Sequence, residues 1–454
     1  MKDCLRGAAL GALIASTLLL SGCGSAQKFT FDPQDLYALP ELPAQYTELN
    51  SRLSEILSAG AEYAAPTSGT NVQPVQMVDL NGDGREESIA FFRNSADEKP
   101  LKIYIFSAQE GSYEPAAVIE GSGNAISSVI YSDLNGDGAT EIVVGWKVNT
   151  DLQALSVYSL RSGSAEELLK SVSYVKYAIT DLNSDGYQEL MILRADEEGH
   201  GAADCYSWTA GGAIDQSTAT VSVTMADVNR QGRLTRGTLS DGSPALFVTG
   251  VTEKNRAVTD VLTLQEGELD NILISDTTGV SRMICDFNSL YPTDLNGDGI
   301  TEVPCPADLP LWGEGGTVYR RIDWQQIAPD GSAETVLRTY HDVENSWYLR
   351  LSEDWTDRIM VSRSSVSDET VVTFYICPET EGETPQPFLR IAAISGTNRE
   401  IKALRGNRFI LSRQLDTSYT AELLEANETW EYGLTPDEVR AAFSLIATEW
   451  TTSE

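Results

Sequence analysis

The sequence predicts an all-β fold, on three observations. Short apolar segments separated by Gly, Asp, Asn and Ser run from about Val72 almost to the C-terminus, the rhythm of strands and tight turns. A nonamer of the form Asp-x-Asn-x-Asp-Gly-x-x-Glu recurs at Asp79, Asp133, Asp181 and Asp294, with a degenerate copy at Asp227. The starts of the five copies are 54, 48, 46 and 67 residues apart, which suits one four-stranded unit per repeat with variable loops.

The chain opens with Lys2 and Arg6, followed by an apolar segment from Ala8 to Leu20, the pattern of a signal peptide over residues 1–22. Leu20-Ser21-Gly22-Cys23 is similar to the bacterial lipobox, which implies that Cys23 is lipidated and anchors the mature chain to a membrane. The apolar segment is shorter than the roughly 20 residues of a spanning helix. Residues 23–46 are polar and proline-containing, as a tether would be. Leu49, Leu53, Ile56 and Leu57 recur at helical spacing and predict an amphipathic helix over 47–65. At the other end, Pro436 and the apolar Val439, Phe443, Leu445 and Ile446 predict a closing helix over 435–450.

Between the helices, each nonamer stands between two apolar segments, so it joins neighbouring strands. These strands read as near-continuous apolar runs, which is expected where both faces of a sheet are covered. Two further units lack the nonamer, one around Ser346 to Ile359 and the other built from Phe388–Ile394, Ile401–Leu404, Phe409–Ser412 and Ala421–Leu424. Five motif-bearing and two degenerate units predict a seven-bladed β-propeller over residues 71–430.

The nonamer places oxygen donors at its first, third, fifth and ninth positions. The four complete sets are Asp79, Asn81, Asp83 and Glu87; Asp133, Asn135, Asp137 and Glu141; Asp181, Asn183, Asp185 and Glu189; and Asp294, Asn296, Asp298 and Glu302. Ca²⁺ takes six to eight hard oxygens in flexible geometry, so the pattern predicts four calcium sites. Three carboxylates in one short loop also repel one another unless a cation relieves them. An EF-hand loop would need an acid at position twelve, where this chain has Ala90, Val144, Ile192 and Cys305. The copy at Asp227 carries Gln231 and Thr235 in place of two acids and is expected to bind no metal.

On these residues the repeats resemble the FG-GAP and VCBS-type repeats that build seven-bladed propellers, including the integrin α head. The resemblance implies that the loop between a blade's first two strands binds calcium. The Phe-Gly and Gly-Ala-Pro signatures of that family are missing here.

A net charge of −35 argues against binding nucleic acid or an anionic membrane surface. The chain has two histidines, His200 and His341, both read as loop residues, and no nucleophile elbow, Walker loop or dinucleotide fingerprint. No catalytic residue is assigned. Trp208 and Trp312 lie in Gly-rich surroundings and read as candidate ligand-stacking residues, whereas Trp146, Trp324, Trp347 and Trp355 read as packing residues. Cys285 and Cys305 flank one repeat and either pair or remain buried thiols. The expected function is a surface-anchored module that binds a protein or glycan ligand, with a propeller-based polysaccharide lyase or hydrolase, or an envelope assembly scaffold, as alternatives.

Overall fold

The computed structural model describes residues 46–446 apart from 110–111, 162, 209–213, 287–289, 312–316 and 381–382. The signal peptide, Cys23, the tether and Trp312 therefore lie outside the described residues. The chain divides into two compact units, 1–56 and 57–454. In the first, a helix begins at Thr47 and runs to Ser58, with Leu49 and Leu53 buried. It is shorter than the expected 47–65, because Gly60 takes a left-handed φ of 98° and the chain re-enters as a strand two residues later.

The second unit is all-β, a succession of antiparallel sheets of propeller type. The first sheet contains β1 (Glu62–Tyr63), β2 (Val75–Val78), β3 (Glu87–Arg93), β4 (Leu101–Gln109) and β5 (Ser112–Gly121). The second is the meander β6 (Ala125–Ser132), β7 (Glu141–Lys147), β8 (Gln153–Arg161) and β9 (Ser164–Tyr174). The third repeats it as β10 (Lys176–Thr180), β11 (Glu189–Ala195), β12 (Gly201–Trp208) and β13 (Ile214–Val221). The fourth holds β14 (Arg233–Thr238), β15 (Pro244–Val251), β16 (Ala257–Gln265) and β17 (Glu268–Asn271), with β18 (Met283–Cys285) also paired to β16. The fifth has β19 (Glu302–Asp308), β20 (Arg320–Ile327), β21 (Ala333–Asp342) and β22 (Trp347–Leu351). The sixth has β23 (Ile359–Val366), β24 (Glu369–Ile376), β25 (Gln386–Ile394), β26 (Phe409–Arg413) and β27 (Ser418–Leu423). Finally β28 (Phe443–Leu445) returns to pair with β22 of the fifth sheet.

Apolar clusters sit between consecutive sheets. Ile89, Phe91 and Ile103 of the first meet Ile142, Val144 and Trp146 of the second. Met191 and Leu193 of the third meet Leu246 and Val248 of the fourth. Trp347 and Leu349 of the fifth meet Phe374 and Phe388 of the sixth. A sheet covered on both faces has no solvent side, and that is why β3, β7, β11 and β15 read as continuous apolar runs rather than alternating ones.

The described residues form six sheets where the repeat count predicts seven. The difference lies after residue 340. Ser346–Ile359 is not a blade of its own: β22 belongs to the fifth sheet, between β21 and β28, and Glu353–Trp355 is a single 3-10 turn leading into β23. Ile401–Leu404 is largely helix, Arg399–Ala403, which carries the chain to the sheet edge so that β27 inserts between β25 and β26. The closing helix spans only Pro436–Ala442, fixed by a Thr435/Glu438 capping box, and the expected helical remainder starts with β28.

Two other expectations are corrected. Trp208 is buried in β12, packed with Tyr206 and Leu190, so it offers no ring to a ligand. His341 belongs to β21 and is buried, its ring stacked on Tyr348 at a centroid distance of 5.0 Å. Neither of its ring nitrogens has a hydrogen-bond partner among the described residues. Burial lowers its pKa to about 4. The folded state thus binds this proton less readily than the unfolded chain, so the stability it contributes is present above the ordinary histidine pKa and is lost as pH falls toward 4. The loss over that window is up to about 3 kcal/mol. Replacing His341 with Phe removes the titration, so the variant is expected to gain stability over the wild type between pH 7.5 and pH 4.5, as denaturant midpoints would measure; an equal gap at both pH values would refute the assignment.

Candidate metal centres

The four complete nonamers fold alike because each side chain closes a small local ring. The first Asp accepts from the backbone N–H of position four at 2.6–2.9 Å and from that of position six at 2.9–3.0 Å. The Asn accepts from position five, and the second Asp from position seven, each at 2.8–2.9 Å. These are Asx turns, the local bonding that makes Asp and Asn turn formers. Positions four and six take left-handed φ in every copy: 71° and 84° at Gly82 and Gly84, and 61° and 89° at Ser184 and Gly186.

The glutamate closes each loop. Glu87, Glu141, Glu189 and Glu302 are 1%, 0%, 2% and 0% exposed, at the first position of β3, β7, β11 and β19. In each, Oε2 accepts from the backbone N–H of the loop's second residue at 2.7–3.0 Å, and Oε1 accepts from the Asn amide at 3.0–3.3 Å. None of the four has a Lys or Arg partner among the described residues. Burial, and then repulsion from the two aspartates of the loop, raises the pKa of all four glutamates against the pull of that backbone N–H, reaching about 7 at Glu189.

Three loops stand where the sequence pattern places them, joining β2 to β3, β6 to β7 and β10 to β11. The fourth has only one arm: β18 pairs with the fourth sheet, and a single bridge, Thr293 to Glu302, precedes β19. That loop nonetheless gathers its acids most closely. Ligand oxygens of Asp294, Asp298 and Glu302 all lie within 4.8 Å of one another, the one such group among the described residues. Gln326 of β20 donates to both Asp298, at 2.8 Å, and Glu302, at 2.9 Å, a positioning contact that the nonamer alone does not reveal. In the second loop Asp137 instead pairs with Arg161 at 3.2 Å.

The donor set, oxygens alone with buried glutamates that lack cationic partners, fits a hard divalent ion such as Ca²⁺. The copy at Asp227 does something else. Residues Met225–Gln231 form a helix between the third and fourth sheets, and Asp227 is its capping-box residue: it accepts from the Thr224 N–H at 3.4 Å while Thr224 Oγ1 accepts from its own N–H at 3.2 Å. The equivalent hairpin, between β14 and β15, is the short turn at Asp241 and Gly242.

Neighbouring loops touch. Thr140 N–H donates to the Leu80 carbonyl at 2.8 Å, which links the first loop to the second. A side chain at Gly136 would strike the Tyr187 ring of the third loop, so the second and third are also in contact. On the catalytic question, His200 is exposed in its loop with Nδ1 3.4 Å from Asp196, a surface pair. Cys285 and Cys305 are not joined in a disulfide. Asn427, in an Asn-Glu-Thr sequence, is buried and exchanges two hydrogen bonds with the Leu434 backbone, so its role is structural.

Residues 79–144, which hold the first two nonamers, match the family of FG-GAP-like repeats. No curated protein matches the chain. Among solved structures, the chain is similar to a protein from Lactobacillus plantarum at 10% identity, over 73% of this chain and 95% of that one, with a TM-score of 0.28. It is also similar to AofleA from Arthrobotrys oligospora at 6% identity, over 72% of this chain and 89% of that one, with a TM-score of 0.23. Among the described residues no helix is long and apolar enough to cross a membrane.

Proposed function

With an FG-GAP-like repeat at residues 79–144 as the premise, we propose that this chain is a calcium-braced β-propeller that serves as an interaction module. It is held outside the cytoplasm by a lipid on Cys23 and binds a protein or glycan at the cell surface. The observation that carries the calcium reading is the set of four buried glutamates without cationic partners among the described residues, each repelled by the two aspartates of its own loop. The loops act as braces: an ion in each would tie a turn to the first residue of a buried strand and keep the adjoining rim rigid, which lowers the ordering cost of binding a ligand.

The module reading is tested on the full chain by a glycan array and by cell-surface capture, each run with calcium and with chelator. Calcium-dependent capture of a glycan or surface protein supports it, and turnover of a polysaccharide would replace it with a lyase or hydrolase. For the metal, a binding isotherm is expected to give four calcium ions per chain in the wild type and three in Asp298→Ala; unchanged stoichiometry would remove the fourth loop from the set. Release of Cys23→Ser protein to the medium tests the anchor.

A further inference from the structure

We infer that the cavity between the second and third sheets is a binding site for a small organic carboxylate, held by the Lys176 ammonium and the Gln153 amide. The cavity has a volume of about 170 Å³ and is lined by Ser127, Ser128, Gln153, Tyr174, Lys176 and Tyr177, with a short glycine-containing segment at Ser68. The chain carries 67 acidic residues against 32 basic ones, yet no carboxylate lines this cavity. Three larger cavities each present a pair of acids, Glu379 with Glu383, Glu120 with Glu167, and Asp342 with Glu344.

The hydroxyl groups in the cavity are engaged with one another and with the Gln153 carbonyl oxygen. Gln153 Oε1 accepts from Ser127 Oγ at 2.8 Å and from Tyr174 Oη at 3.0 Å, which fixes the amide and leaves its Nε2 hydrogens without a hydrogen-bond partner among the described residues. Ser128 Oγ and Tyr177 Oη share a hydrogen bond of 2.8 Å. Space for this network comes from Gly145 of β7, where a Cβ would lie 2.4 Å from the Tyr174 hydroxyl and 2.7 Å from Ser128 Oγ. Lys176 opens β10 and has no carboxylate within ion-pair distance among the described residues.

A second cation stands nearby. Arg233 opens β14, the corresponding strand of the next sheet, and its guanidinium lies 4.0 Å over the Tyr291 ring, also without a carboxylate partner among the described residues. Burial and then the charge of Arg233 hold the Lys176 pKa below the ordinary lysine range. Two cations that repel each other and lack carboxylate partners among the described residues are relieved by an anion. An ammonium and an amide N–H₂ match the two oxygens of a carboxylate.

The site is remote from the metal loops. Ser128 lies near the start of β6 and the nonamer follows its other end, five residues and roughly 17 Å along the strand. The inference therefore stands independently of calcium and of surface display.

The test is titration of the calcium-loaded full chain with D-glucuronate, acetate and, as a neutral control, D-glucose. Binding of glucuronate or acetate but not glucose is expected. Lys176→Met and Gln153→Glu are expected to weaken it by about ten-fold or more, the loss that follows from removing or repelling a charge-assisted hydrogen bond. Lys176→Arg keeps the charge and should bind within a few-fold of the wild type, which separates loss of the site from loss of the fold. Equal affinity for glucose, no binding of either carboxylate, or unchanged affinity in Lys176→Met would overturn the inference.

Discussion

Removing calcium from the full chain is expected to lower its melting temperature by on the order of ten degrees. At a calcium concentration one hundred times Kd, each site stabilises the folded state by about 2.7 kcal/mol, so four sites contribute roughly 11 kcal/mol. Divided by the unfolding entropy of roughly 400 ordered residues, that is a shift of roughly 13 °C. The effect depends on pH with a definite sign. Glu189 in the metal-free loop has its pKa raised to about 7 by burial, so protonation supports the metal-free fold below the ordinary glutamate range, and this support is lost as pH rises through 7. Chelation should therefore cost more at pH 8 than at pH 6. Scanning calorimetry with calcium and with chelator at both pH values decides the matter, and coincident melting curves would remove the structural role of the ion.

Gly82→Ala is expected to destabilise the protein by roughly 2–5 kcal/mol, beyond the same change at Gly84. Both residues have left-handed φ, 71° and 84°, which costs an alanine about 1–2 kcal/mol. At Gly84 the added methyl meets nothing within 4 Å. At Gly82 it would stand 2.3 Å from the backbone carbonyl oxygen of Gly138 in the next loop, and backbone cannot yield as a side-chain tip can. The additional loss is that of overpacking, about 1–3 kcal/mol. Denaturant midpoints of the two variants provide the comparison. Equal losses would mean that the first two loops do not support each other.

The loops were legible in the sequence because everything that shapes them lies within nine residues. Asp79 binds the N–H groups of Gly82 and Gly84, and Glu87 reaches back to Leu80, so spacing alone places the donors. The all-β class was legible for the same reason, since strand rhythm and turn chemistry are local. The copy at Asp227 shows the limit. Its opening Asp-x-Asn imitates the motif, but Thr224 stands three residues before Asp227, and that pairing caps a helix instead.

What only the tertiary structure decided depends on partners far apart in the chain. Whether Trp347–Leu351 begins a new sheet or completes the fifth is settled by pairing with β21 and with β28, nearly one hundred residues on, and the count of sheets follows from that choice. The same holds for His341, whose neighbour Asp342 suggests a polar loop but whose strand is buried against Trp324 and Tyr348. The acid-free cavity at Lys176 unites residues as far apart in the chain as Ser68 and Tyr177. The sequence by itself determined the four complete loops and the strands that follow them, because hydrogen bonds over a few residues and continuous runs of apolar positions are local physics. Which strands share a sheet, and which charges are left without partners, was decided by packing, because burial is a property of the folded chain.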